Sequence, residues 1–223
     1  MKDLFFPRTC YICGKPVGDG PIICRTCMDA LPRTEQGVLR DNMTEMLFCD
    51  LPFFERGAVF MFLEHGDRHH KLIHSMKYGL FADPQIGYLL AREAAYDLMQ
   101  SDFFDGIDVI VPVPLHPRRL RDRGFNQAEW IGKGLSEVTG IPMNTTVLTR
   151  EVYNDKQATL DKNARQKNVK GIFAVNHPEV LSRCHILLVD DIITTGATLR
   201  SCMEALKPIR RRTVSVFGLG KVR

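Results

Sequence analysis

The stretch Ile186–Thr198, ILLVDDIITTGAT, runs four apolar residues into two adjacent acids and then into a short loop of threonines around a glycine. With His185 ahead of it, the run reads as a strand buried on both faces. Flanked by helical segments, such strands belong to parallel sheets. Ligands of open parallel sheets bind beyond the carboxyl ends of the strands, where Asp190 and Asp191 stand. Side chains alternate along a strand, so the two acids do not point the same way while the chain stays extended. One is expected to face a ligand, and the other to steady the turn or to meet the ligand as the chain bends. The small residues around Gly196 let backbone amides converge on an anion, and a helix starting near Leu199 adds the positive end of its dipole. Thr194, Thr195 and Thr198 add hydroxyls. Acceptors for sugar hydroxyls followed by donors for phosphate suit a sugar phosphate.

Outward from this stretch the chain alternates strands and helices. GAVFMFL, IDVIVPVP, NTTVLT, HILLVD and TVSVFGL read as strands. DRHHKLIHSMKY, PQIGYLLAREAAYDLMQ, NQAEWIGKGLSEVTG and TLRSCMEALK read as helices, the second with Pro84 at its start, where proline is tolerated. The alternation predicts a doubly wound α/β parallel sheet. There is no internal repeat.

The first 50 residues differ. Cys10-x2-Cys13 is followed, after ten residues, by Cys24-x2-Cys27. Two tight turns, each aiming two sulfurs, close a tetrahedral four-thiolate site suited to structural Zn²⁺. Zinc would also hold together a segment too poor in apolar residues to fold alone. Residues 1–50 are therefore expected to form a zinc-binding unit ahead of a larger domain at 51–223. Cys49, Cys184 and Cys202 stand singly and are read as packing residues. Seven cysteines without a secretory signal point to a reducing, cytoplasmic location. No run reaches the eighteen apolar residues of a membrane span.

The 223 residues carry 30 Lys and Arg against 26 Asp and Glu, a net charge of +4. The excess gathers at the end: no acid follows Glu204, and Arg210, Arg211 and Arg212 are consecutive. A solvated terminus is the plain reading of such a run; a surface for an anionic partner is the sharper one. His70 and His74 stand four apart, but no matched third ligand is evident, so an ordinary helix surface is expected. GLGK near the end lacks the spacing of a phosphate loop.

ILLVDDIITTGAT resembles the phosphoribosyl pyrophosphate (PRPP) signature of the type I phosphoribosyltransferases. Taken with MKYG, VPVPLHPRRLRDRGFNQA, KQATLDKNARQKNVKGIF and the four cysteines, nearly the whole chain resembles the ComF family, some of whose members are associated with DNA uptake and competence. The resemblance implies a phosphoribosyltransferase-like fold that binds PRPP with Mg²⁺. Asp190 and Asp191 would hold the ribose hydroxyls, and Thr194, Thr195, Gly196, Ala197 and Thr198 the 5′-phosphate, with Ile193 also among the PRPP-binding residues. The loop carrying Arg118, Arg119, Arg121 and Arg123 would grip pyrophosphate, since guanidinium forks bind phosphate oxygens bidentately. Not all four are expected to touch ligand; Arg118 and Arg119 are assigned to PRPP. Arg119 and Arg123, with the two aspartates, would serve catalysis. Asn126 and Gln127 read equally as ligand contacts or as the start of a helix, Asn126 being a candidate N-cap. The polar span Val152–Lys170 stands where these enzymes carry a flexible hood, with Gln157, Arg165 and Asn168 matching the family's pattern. Lys77 reads either as a phosphate contact or as a helix-end cation.

Two functions are expected from this reading. One is transfer of phosphoribosyl to an unidentified acceptor with release of pyrophosphate. The other is a non-catalytic PRPP-sensing or DNA-uptake module that contacts single-stranded DNA or a helicase partner. Aromatic residues are sparse in the zinc unit and the basic end, so such DNA contact would rest on phosphates rather than on stacked bases.

Overall fold

The computed structural model describes residues 8–76, 82–152 and 171–222. Its centre is a four-stranded parallel sheet of β1 (Phe54–Leu63), β2 (Val109–Pro112), β5 (His185–Ile192) and β6 (Thr213–Val222), in the order β1-β6-β5-β2. Ile186 to Val189 of β5 are completely buried, as a run without polar alternation requires. Their side chains divide between two cores. Leu187 and Val189 pack with α3 (Gln85–Leu98) and α5 (Gln127–Thr139) on one face; Ile186 and Leu188 pack with α6 (Ala197–Leu206) on the other. The doubly wound parallel arrangement expected from the sequence is the one observed.

One strand reading needs correction, and one strand was not read. NTTVLT supplies β3 (Leu148–Arg150), but this pairs antiparallel with β4 (Phe173–Val175) in a separate ribbon. The chain just ahead of β3 meets the parallel sheet through one bridge, Met143 to Ile110: Ile110 N–H donates to Pro142 O, and Asn144 N–H to Ile110 O. The Asn144 carboxamide then accepts from the N–H groups of Thr146 and Val147 and turns the chain away. β4 went unread because three residues carry no periodicity.

The basic end is likewise not a terminus. β6 lies between β1 and β5, and Arg210 and Arg211 stand exposed in the turn before it. Arg212 stacks on Phe53 at 4.0 Å and donates to Ile209 O. The apolar character of Val214–Leu219 outweighs the arginines ahead of it and places the strand in the sheet's interior.

The N-terminal segment joins the same body. Cys10, Ile23, Cys27, Met28 and Leu31 belong to the core that holds α3 and α5. Residues 32–34 then run along the free edge of β1, with Phe62 N–H donating to Pro32 O and Thr34 N–H to Phe60 O. This covers an edge that would otherwise expose unpaired backbone.

Candidate functional site

The carboxyl ends of β2, β5 and β6 form one rim. By strand alternation Asp190 lies on the α6 side of the sheet and Asp191 on the α3/α5 side. Asp191 N–H donates to an Asp190 carboxylate oxygen at 2.9 Å. After Ile193, whose N–H is held by Gly220 O, the chain forms the loop Thr194–Gly196 and enters α6. Thr194, Thr195, Ala197 and Thr198 are exposed around a small hollow of about 40 Å³ that Asp190 also lines. Gly196 takes the left-handed conformation, φ 74°, and its Cα faces Phe48 so closely that a Cβ would lie 2.7 Å from Cζ. Phe48 is held in turn by Arg200 of α6, which stacks on its ring at 5.8 Å, pairs with Asp50 and donates to Leu47 O. The segment linking the cysteine unit to β1 therefore forms the floor of the loop.

The arginine segment was expected as a loop and is a helix, α4 (Pro117–Arg123). Proline stands in its first turn, the His116 ring accepts from Arg118 N–H, and Gly124 at φ 83° ends it. Helical spacing separates the arginines by face. Arg119 and Arg123 line a second hollow of about 180 Å³ with Asp190, Asp191 and Thr198, while Arg118 and Arg121 do not. Asn126 and Gln127 touch this hollow, but their side chains hold the backbone. Asn126 caps α5 through Ala128 N–H and donates to Val113 O; Gln127 donates to Met76 O and accepts from Arg123.

Two residues of the site were missed. Arg150, at the end of β3, lines the arginine hollow and stacks over Phe173 at 5.5 Å. Burial, with the charge of Arg119 next, pulls its pKa below the usual guanidinium value, while Asp190 opposes the shift. Lys221 of β6 is buried and donates to Thr194 O at 3.2 Å. Arg150 had no sequence signal beyond its place after a short strand; Lys221 stood inside the dismissed GLGK. Lys77, Gln157, Arg165, Asn168 and most of the expected hood lie outside the described residues.

At the other end of the chain, the sulfurs of Cys10, Cys13, Cys24 and Cys27 all lie within 4.8 Å of one another, and those of Cys13 and Cys24 are 3.8 Å apart. A tetrahedral zinc with Zn–S of about 2.3 Å requires sulfurs about 3.8 Å apart, so the group fits the ion. The thiols disturb one another as protonated groups. Burial raises the Cys10 pKa, but the N–H groups of Cys24, Cys13 and Ile12 outweigh it and bring the value to about 6; burial and the neighbouring thiols push Cys27 up to about 12. One cation neutralising all four would relieve that competition. Among the described residues this is the one group of three or more metal-ligating side chains within such reach. Of the other cysteines, Cys202 is buried in the α6 core, but Cys49 is exposed rather than packed. The His70 and His74 rings lie 6.5 Å apart on one helix, and the His65 ring of the preceding turn lies 5.4 Å from that of His70.

Residues 1–37 match the double zinc ribbon domain. Over 227 residues the chain is 30% identical to the DNA utilization protein YhgH of Shigella flexneri, covering 97% of this chain and 98% of that one. The chain belongs to the ComF family. Competence protein F of Haemophilus influenzae is 34% identical over 116 residues, about half of each chain. Similar solved structures include the glutamine PRPP amidotransferase of B. subtilis, 18% identical with a TM-score of 0.41, covering 65% of this chain and 30% of that one. The ComF chain joins a four-cysteine unit suited to structural zinc to a parallel α/β sheet. No helix among its described residues is long and apolar enough to cross a membrane.

Proposed function

We propose that this protein binds PRPP at the rim of its parallel sheet and transfers phosphoribosyl to an acceptor, releasing pyrophosphate. The observation that carries the reading is the position of Asp190, which lines both the threonine loop hollow and the arginine hollow. A phosphate in the first and a pyrophosphate in the second would leave the ribose over the two acids. In the reaction the acceptor's nucleophilic atom bonds to the anomeric carbon as the bond to the pyrophosphate oxygen breaks, and both electrons leave with pyrophosphate. Arg119, Arg123 and Arg150 would bind that charge as it develops. Asp190 and Asp191 would orient the ribose hydroxyls and face the positive character gained by the ring. Mg²⁺ brought with PRPP would offset the leaving group's charge, and the paired carboxylates beside an anion site fit its presence. The acceptor's proton would leave with the departing group or to solvent.

Calorimetry with PRPP–Mg²⁺, followed by a pyrophosphate-release screen over bases, amines and single-stranded DNA, tests the proposal. Asp190→Asn with Asp191→Asn is expected to abolish PRPP binding while leaving the melting temperature in place. Unchanged affinity would remove the site assignment. A second reading, a PRPP-responsive accessory to DNA uptake, draws on the names of the relatives and on one structural feature. Arg183, Arg210 and Arg211 stand exposed together at the opposite end of the sheet, Arg183 N–H bonding to Arg210 O. Binding of PRPP without release for any acceptor would favour it.

A further inference from the structure

Lys221 is a charged residue buried at the mouth of the anion loop, only 9% exposed. It stands on β6 opposite Phe62 of β1. Its ammonium makes a single hydrogen bond among the described residues, to the carbonyl oxygen of Thr194 at 3.2 Å, and no carboxylate pairs with it there. Burying an ammonium is costly unless partners compensate, and one carbonyl compensates little. Burial accordingly lowers its pKa. A site that retains such a group is short of negative charge.

The geometry of the bond says where that charge belongs. In a planar trans peptide the C=O and the following N–H point in opposite directions, and no described peptide here is cis. With its oxygen bonded to Lys221, the Thr194–Thr195 peptide turns the Thr195 N–H away from the ammonium, in a loop whose Thr194, Thr195 and Thr198 are exposed. The positive end of α6 opens on the same hollow, where Gly196 supplies no capping side chain.

We propose that Lys221 is a positioning residue of the anion loop, orienting the Thr195 amide and placing a positive charge beneath it, and that it makes the loop selective for a dianionic phosphate monoester over a monoanion. The proposal deepens the phosphoribosyl reading of the site and rests on it. Ribose 5-phosphate supplies two charges to the loop, and ribose 5-sulfate supplies one with the same tetrahedral shape. The dianion would compensate an ammonium that no carboxylate among the described residues pairs with.

The test is calorimetry of the full chain with ribose 5-phosphate, ribose 5-sulfate and inorganic phosphate, for wild type, Lys221→Met and Lys221→Arg. Methionine keeps an unbranched side chain only one atom shorter and removes a buried charge, so the melting temperature is expected to hold or rise. Ribose 5-phosphate binding should weaken about tenfold to hundredfold, the worth of a charge-assisted hydrogen bond, and ribose 5-sulfate binding by a smaller factor, so that selectivity between them narrows. Arginine should restore most of the loss, which a merely space-filling role for Lys221 would not require. Unchanged affinity and selectivity in a folded Lys221→Met protein would overturn the proposal and leave the phosphoribosyl reading standing. Lys221-dependent binding of inorganic phosphate, with ribose 5-phosphate bound no better, would support the role of Lys221 and overturn the phosphoribosyl reading. Wild type that binds none of the phosphates would overturn both.

Discussion

Replacing Gly196 by alanine tests whether the linker to the cysteine unit and the anion loop are one packed structure. Two costs are expected. At φ 74° an alanine occupies the left-handed region, at about 1–2 kcal/mol. Its Cβ would also lie 2.7 Å from Cζ and 3.0 Å from Cε1 of Phe48. That ring has no room to retreat: it is fully buried, 5.4 Å from the Phe54 ring, with Arg200 stacked on it. Overpacking of this kind costs about 1–3 kcal/mol. Gly196→Ala should therefore lower stability by about 3 kcal/mol, read by urea unfolding followed by circular dichroism, with an unchanged slope. In a cycle with Phe48→Leu, the smaller side chain should recover the packing part and leave the backbone part, giving a coupling of about 1 kcal/mol or more. A loss under about 0.5 kcal/mol for Gly196→Ala, which is within the range of a neutral surface change, would refute the reasoning. Additivity in the cycle would show that Phe48 is not the floor of the loop.

The purified chain should carry about one zinc by elemental analysis, and Cys27→Ser should lose it together with stability; a metal-free protein indifferent to chelators would contradict the four-thiolate site. Arg119→Ala and Arg123→Ala should each weaken PRPP binding about tenfold, while Arg118→Ala and Arg121→Ala leave it unchanged; equal effects in calorimetry would mean that α4 does not separate its arginines by face. Hydrogen bonds from Arg40 and then Arg56 hold the Asp102 carboxyl at about 2 against an unfolded value of 3.8. Its stabilising contribution is therefore present above about pH 4 and is lost as the pH falls towards 2, and Asp102→Asn should make acid unfolding less steep there; a carboxyl titrating near 3.8 by NMR would overturn this. Arg210→Ala with Arg211→Ala should weaken single-stranded DNA binding and flatten its salt slope, measured by anisotropy, without altering PRPP affinity; an unchanged slope would leave the turn no part in such contact.

Much of the fold was legible because its signals are local. The unbroken apolar run of β5 states burial on both faces, and the alternation of its side chains already places Asp190 and Asp191 on opposite sides of the sheet. The paired cysteine spacing describes a turn geometry, which the sulfur separations match. Pro117 and Gly124 were equally local and mark both ends of α4, yet the charge of the arginines drew the reading to a loop. Reading those two as helix boundaries would have put Arg119 and Arg123 on one face without any coordinates.

The sequence by itself determined the parallel α/β class, the order of acids and threonines at the strand end, and the cysteine set, since each depends on neighbours within one turn or one strand. Only the tertiary structure decided that NTTVLT leaves the parallel sheet for an antiparallel ribbon, and that the basic end threads between β1 and β5. It alone brought Arg150 beside Arg119, Phe48 beneath Gly196 and Lys221 to Thr194, 27 residues away in the chain. Strand pairing and the packing of a loop floor are chosen by shape and burial among segments distant in sequence, and no local pattern of residue types encodes which distant segment arrives.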